Sequence, residues 1–358
     1  MQRCGVATRP SHADTRRRKR FHGEGRLIKI KDVAEAAGVS PATVSRVLNG
    51  TGKVSPDRAE RVRAVVAKLG YQPFSPARAL RRQATDVWAV IVADIENPFF
   101  TLIVRGIEDG AQKRGFRVML CNSDEDLQKE AAYIDVALAE RMGGVVIAAA
   151  SAKQSQIGPL LERGVPVVAI DRRPAGQSID CVLVDNELGA AQATQHLIEA
   201  GAQRVACITG PQRVSTANER LAGYKKAMET AGRAFDPALV IREDFRPRGG
   251  YDATQALYRL AEPPDALFVA NNLMTVGALR ALRDLGLRVP EDCMVVGFDD
   301  APWAALVHPP LTVVSQPAYE IGKIAAELLF EARENPRREP REVLLQPELI
   351  VRESSRRR

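Results

Sequence analysis

This chain of 358 residues has little cysteine, no long apolar run and none of the short motifs that carry catalysis. Its five cysteines, Cys4, Cys121, Cys181, Cys207 and Cys293, are widely spaced, odd in number and mostly set in apolar runs. That pattern fits reduced core thiols and excludes a disulfide framework or a zinc spacing. No stretch of about 18 apolar residues suggests a membrane span. Arg16-Arg17-Arg18-Lys19-Arg20 is followed by no apolar segment, so a secretory signal is not expected and a cytoplasmic protein is. The chain lacks a G-x-x-x-x-G-K-[ST] phosphate loop, G-x-G-x-x-G, H-E-x-x-H and G-x-S-x-G, so neither an enzyme nor a bound metal or cofactor is expected. Of the four histidines, His12 and His22 lie in the N-terminal arm. His196 reads as a helix-surface or core residue, and His308, before Pro309-Pro310, as part of a loop.

What is present is unevenly distributed. A hydrophobic content of 45% is ample for sizeable cores, and the length suggests about two to three domains. Residues 1–85 hold 19 Lys and Arg against 6 Asp and Glu, whereas residues 86–358 hold 32 against 38. A basic head on a mildly acidic body confines contact with a polyanion to the head. Residues 1–26 are polar, Arg-rich and without periodicity; they read as a disordered arm, either a plain solvated tail or a source of non-specific phosphate contacts.

Within the head, Ile30, Val33, Ala34 and Ala37 recur at helical spacing up to Gly38-Val39. A second helix opens at once, with Ser40 as N-cap and Pro41 in the first position, where a missing N–H costs nothing. Val44, Val47 and Leu48 form its buried face, and Ala42, Thr43, Ser45 and Arg46 point elsewhere. Two short helices joined by a Gly turn, with hydroxyls and an arginine on the free face, read as a helix-turn-helix for the DNA major groove. An ordinary helical hairpin has no need of those residues there. A third helix begins at Ser55-Pro56-Asp57, carries Ala59, Val62, Val65, Val66 and Leu69, and stops at Gly70. This DNA-binding domain spans residues 27–72. Residues 73–85 form a hinge, in which Ser75-Pro76 can start a helix too short to be stable alone. Its Leu80, flanked by Arg78, Arg81 and Arg82, has the character of an apolar minor-groove wedge, or of an incidental leucine in a basic linker.

From Asp86 onward apolar strands alternate with amphipathic helices. The pattern predicts strands over Val87–Ala93, Phe116–Cys121, Gly144–Ala149, Val165–Ile170, Val205–Thr209, Ala266–Ala270 and Cys293–Phe298, and helices over Phe99–Arg114 and Leu127–Arg141. Buried strands that do not alternate, separated by helices, imply parallel sheets covered on both faces. The series is too long for one sheet, so an α/β body of two doubly wound lobes is expected over residues 86–352, followed by a tail at 353–358. A second lobe is entered within Asn186–Gly210. Ligands in such folds lie beyond the carboxyl ends of the strands. There the chain places Asp94 and Asn97, then Phe99-Phe100, Asp171-Arg172, Arg220, Phe245, Asn271-Asn272, Asp299 and Gln316. Each alone could be a helix cap. Together, carboxylates, amides and arginines with phenyl faces suit a small polyhydroxylated ligand.

The run Ile30–Asn49, the helix beginning at Ser55 and the Arg78-Ala79-Leu80 hinge resemble the lactose/galactose-repressor (LacI/GalR) family of bacterial transcription regulators, and the likeness extends over residues 28–352. The resemblance implies a homodimer on a near-palindromic double-stranded operator, whose second helix reads the major groove and whose hinge leucines open the central base step. Carried over, the DNA-binding set is Ala42, Thr43, Ser45, Arg46, Asn49, Arg78 and Leu80, with Arg46 on base edges, Thr43 and Ser45 on phosphates and Leu80 as the wedge. Pro41 and Ala42 stand where the family often has longer polar side chains, so base discrimination leans on Arg46, thymine methyls and DNA bending. Phe74 replaces a more usual small polar residue.

The related ribose-type sugar-binding proteins imply an effector set of Asn97, Phe99, Phe100, Asp171, Arg172, Arg220, Phe245, Asn271, Asp299 and Gln316, and a pentose or similar monosaccharide as effector. The purine-sensing relative has an arginine in the loop after Gly210, where this chain has Val214, and Asn272 stands where the family usually has Asp. A regulator responding to a nucleobase or a phosphoprotein is the alternative within the architecture, and a sugar-binding transport component the alternative outside it.

Overall fold

The computed structural model describes residues 28–50, 52–71 and 84–357. The arm at 1–26, nearly all of the hinge, with Arg78 and Leu80, and the side chain of Asn49 lie outside the described residues. The described residues before 72 and those from 84 onward belong to two compact units.

The described residues of the first unit form three helices. Helix α1 (Ile30–Ala37) starts where the Lys29 backbone N–H donates to Asp32 Oδ2 at 2.7 Å. It ends at Gly38, whose φ of 64° gives the left-handed turn that lets α2 (Pro41–Asn49) begin three residues later. The Ser40 hydroxyl caps α2 by accepting from the Thr43 N–H at 3.2 Å. Helix α3 (Pro56–Leu69) closes a core of Val33, Ala34, Ala37, Val44 and Val62. Only Val62 of the α3 stripe is fully enclosed, as expected of so small a domain.

The second unit is two lobes, each a six-stranded sheet between helices. In lobe one the elements are β1 (Val87–Val92), α4 (Pro98–Lys113), β2 (Arg117–Asn122), α5 (Leu127–Ala139), β3 (Gly144–Ile147), α6 (Gly158–Glu162), β4 (Val167–Ile170) and β5 (Asp180–Val184). Lobe two follows with α7 (Asn186–Glu199), β6 (Val205–Thr209), α8 (Ser215–Thr230), β7 (Val240–Arg242), α9 (Pro247–Leu257), β8 (Ala266–Val269), α10 (Asn272–Asp284), β9 (Met294–Phe298) and β10 (Thr312–Ser315). Then α11 (Ala318–Glu334) and β11 (Glu342–Leu345) return to lobe one, and β12 (Glu348–Ile350) ends in lobe two. The sheet orders are β11-β5-β4-β3-β1-β2 and β12-β10-β9-β8-β6-β7, parallel throughout except for the antiparallel pair β10–β12. Helices α4 and α11 cover one face of the first sheet and α5 and α6 the other; α7 and α8, then α9 and α10, do the same for the second.

The expected fold class holds, with several edges moved. Strand β4 starts at Val167, after Pro166, and Phe116 lies ahead of β2 with its ring stacked on Trp88 at 4.7 Å. Of the tail expected at 353–358, the described residues 353–357 are packed against lobe two. Glu353–Ser355 makes a 3-10 turn in which Ser354 Oγ donates to the Val295 carbonyl at 2.7 Å and accepts from Thr312 N–H at 2.8 Å. Ser355 Oγ shares a 2.7 Å hydrogen bond with His196 Nε2, and Arg357 pairs with Asp265 at 2.9 Å. Short hydroxyl side chains satisfy buried backbone groups there, so lobe two runs to residue 357. Cys121, Cys181, Cys207 and Cys293 are all buried. Among the described residues no helix is long and apolar enough to cross a membrane, and no cluster of metal-ligating side chains occurs.

Candidate ligand cleft and nucleic-acid interface

The carboxyl ends of the parallel strands of both lobes converge on one solvent-connected cleft. Nine of the ten expected residues line it: Asn97, Phe99, Phe100, Asp171, Arg172, Arg220, Phe245, Asn271 and Asp299. Gln316 stands behind the wall and donates from Nε2 to Asp299 Oδ1 at 2.5 Å. Asn97 and Asn271 are also caps, accepting from the Phe99 and Met274 N–H groups at 2.9 and 3.0 Å. The Phe99 and Phe100 rings meet edge to face at 5.1 Å. Phe245 lies directly over Gly210, where a Cβ would fall 2.1 Å from the ring, so only glycine leaves it room.

The charged groups here are buried and interlocked. Arg220 donates from Nε to Asn186 Oδ1 at 2.8 Å and from Nη1 to the Ala270 carbonyl at 2.7 Å, with its guanidinium 3.8 Å from the centroid of Phe298. Burial pushes the Asp299 carboxyl above the usual range, against the pull of Arg220, and does the same to Asp171 against Arg172 and Arg220. Arg172 lies 2.9 Å from Asp171 Oδ2 and donates to Glu125 Oε1 at 2.7 Å. Among the described residues, the non-glycine residues at positive φ are Asp124, Glu125, Asp171, Phe245, Asp299 and Arg141, and all but Arg141 sit at or beside this cleft. Such backbone costs on the order of 1–3 kcal/mol per residue and gathers where function over-determines geometry.

Several residues of the site fall outside the expected effector set. Asp94, Glu125, Thr216, Asp244 and Arg246 share the wall. Arg246, from lobe two, donates to Asp94 Oδ2 of lobe one at 2.7 Å and comes within 3.7 Å of Glu96 and Asp124. Asn272 also spans the lobes, donating to Asn97 Oδ1 at 2.9 Å. Asp94 and Asp244 accept backbone N–H groups two residues on, which makes them look like ordinary turn residues. The strand-end rule applied to β2 and to both neighbours of Phe245 finds Glu125, Asp244 and Arg246. Val214 is buried at the start of α8, and the adjacent Arg213 approaches Glu125 at 4.0 Å. His308 is exposed.

On the head, Ala42 and Arg46 of α2 are exposed, whereas Thr43 and Ser45 are half-buried. The Thr43 hydroxyl shares a 2.9 Å hydrogen bond with that of Ser40, so it belongs to the helix cap as well as to the surface. Asn49 is the last residue of α2.

A helix-turn-helix head joined to two parallel lobes around a polar cleft defines a DNA-binding regulator with an effector-binding domain. The profile of bacterial regulatory proteins of the lacI family matches residues 29–73, and that of the periplasmic binding protein-like domain matches residues 194–355. The ribose operon repressor of Halalkalibacterium halodurans is 35% identical over 330 residues, 92% of this chain and 98% of that one. The HTH-type transcriptional repressor PurR of Aliivibrio fischeri is 34% identical over 332 residues, 92% and 98%. The crystal structure of the lac repressor dimer bound to operator and the anti-inducer ONPF superposes with a TM-score of 0.81 at 27% identity, covering 93% of this chain and 100% of that one. This chain belongs to the lacI family of bacterial regulatory proteins and is a transcriptional repressor of that family.

Proposed function

We propose that this chain is a homodimeric repressor whose affinity for a near-palindromic operator is set by a monosaccharide, a pentose or a close relative, bound between the lobes. One observation carries the effector class: hydroxyl-binding carboxylates, amides and guanidiniums from both lobes surround one space together with the rings of Phe99, Phe100 and Phe245. The similarity to a ribose operon repressor supports it. Three phenyl rings also suit a flat base, and PurR is nearly as similar, so nucleobases are the second reading. Isothermal titration calorimetry of the intact protein with pentoses, hexoses and nucleobases decides between them. Heat with a pentose that is lost in Arg220→Ala supports the sugar site, and no heat with any monosaccharide refutes it.

For the DNA end, Arg46 is assigned to base edges, with Ala42, Thr43, Ser45 and Asn49 beside it and Arg78 and Leu80 in the hinge. Arg46→Ala is expected to weaken operator binding by roughly 5- to 150-fold, the about 1–3 kcal/mol of a base-specific pair, in a mobility-shift assay. Leu80→Ala is expected to reduce both affinity and DNA bending. The domain division is assigned as an arm at 1–26, a head at 27–72, a hinge at 73–85 and a body from 86 to 357. One head reads a half-site, so the dimer supplies two. The effector controls DNA binding only in so far as it distinguishes two states of the lobes, and a 100-fold change in operator affinity requires about 2.7 kcal/mol of such coupling.

A further inference from the structure

We infer that the cleft selects against negative charge, so that its effector is an uncharged hydrogen-bond donor, a neutral polyol, and the phosphorylated form of the same compound is rejected. This rests on the reading of the cleft as an effector site. The wall carries five carboxylates, Asp94, Glu125, Asp171, Asp244 and Asp299, against three guanidiniums, Arg172, Arg220 and Arg246. Recognition of a phosphate or carboxylate calls for an arginine fork turned toward the ligand. Here Arg172 is held between Glu125 at 2.7 Å and Asp171 at 2.9 Å. Arg246 is paired with Asp94 at 2.7 Å, and Arg220 donates to Asn186 and to the Ala270 carbonyl with its face on Phe298.

The helix ends at the cleft do not offer an anion site either. Asn97 and Asn271 cap α4 and α10 with their own side chains. Helix α8 has no side-chain cap, but one turn in it carries Glu219, exposed and accepting from Asn186 at 2.9 Å. A second observation gives the complementary preference. Glu125 Oε2, on the wall, is a buried acceptor with no hydrogen-bond donor. A buried acceptor left without a donor is costly, and ligand O–H groups relieve that cost where an anion adds repulsion.

The test is calorimetry on the full-length protein with matched pairs: ribose against ribose 5-phosphate, and inosine against inosine monophosphate. The neutral member of whichever pair binds is expected to bind at least 100-fold tighter than its phosphate. A phosphate that binds equally or more tightly overturns the inference, and so does silence from both neutral members. Binding of inosine with no response to ribose or any other monosaccharide refutes the sugar reading, and the charge rule is then judged on the second pair. To separate charge from size, Glu125→Gln removes one negative charge at nearly constant shape and is expected to narrow the neutral-to-phosphate ratio by about 3- to 10-fold. A ratio that is unchanged or wider overturns charge as its cause.

Discussion

Replacing Arg220 by methionine keeps much of the side chain's bulk and removes its charge. Arg220 is 4% exposed, and its loss strips a donor from Asn186 and from the Ala270 carbonyl and removes a cation whose field holds down the pKa of Asp299 and Asp171, while Asp171 keeps Arg172 at 2.9 Å. Removing the cation also makes it costlier to keep those two carboxyls charged inside the fold, in addition to the two lost hydrogen bonds. The cost depends on pH, and its sign follows from the carboxyls. Both already lie above the usual range because of burial, so they favour the folded state at low pH and lose that contribution as pH rises from about 4 through their native values. Without the guanidinium both rise further, and the window of loss extends upward. The penalty in Arg220→Met is therefore largest near pH 7.5. Near pH 4.5 it falls toward the about 1–3 kcal/mol of two lost hydrogen bonds. Urea unfolding of parent and variant at both pH values gives the two differences. A difference at pH 4.5 equal to or larger than that at pH 7.5 refutes the reasoning. Adding Asp299→Asn to the variant is expected to recover stability at pH 7.5 and little at pH 4.5.

Gly210→Ala drives a methyl into the Phe245 ring and is expected to weaken effector binding tenfold or more by calorimetry; unchanged affinity means that the ring takes no part. Gly106→Ala places a Cβ 2.2 Å from the Tyr319 carbonyl, where α4 and α11 meet backbone to backbone. It is expected to cost about 1–3 kcal/mol, a fall of several degrees in thermal midpoint. Burial lowers the pKa of His196, which is hydrogen-bonded to Ser355, below its ordinary value of 6.5. Its contribution to stability is thus present above about pH 6.5 and lost as pH falls through the native pKa, and an NMR titration of the ring protons should place the midpoint below 6.5.

The readable parts of this chain are those that local chemistry determines. Ser40-Pro41 and Gly50 bound α2 because cap, proline and left-handed glycine act within one turn. The inner strands β1, β3, β6 and β8 are continuous apolar runs because both faces are covered. The edges were harder to read. Strand β5 opens on Asp180, which is explained only by its 2.6 Å pair with Arg338 far along the chain, and β11 and β12 are half-exposed with no uninterrupted apolar signal. At the cleft, residues beside a recognisable aromatic, Asp-Arg or Asn-Asn pair are legible. Arg246 and Glu125 are not, because their partners lie in other loops or the opposite lobe, and no spacing along the sequence records a contact across 152 positions, nor the 175 between Asn272 and Asn97.

The return of α11 and β11 to lobe one fixes the order in which the protein can be made. The first sheet opens at Val87, yet its edge strand ends at Leu345, and the helix that packs on α4 ends at Glu334. Lobe one therefore starts first and finishes almost last, after the contiguous β6–β10 part of lobe two has left the ribosome. During synthesis five of its strands must wait with one apolar face missing α11, a period of roughly 8 to 30 seconds at about 5–20 residues per second. A chain cut anywhere before residue 345 leaves the first lobe incomplete, even when every residue of the expected sugar contact set is present.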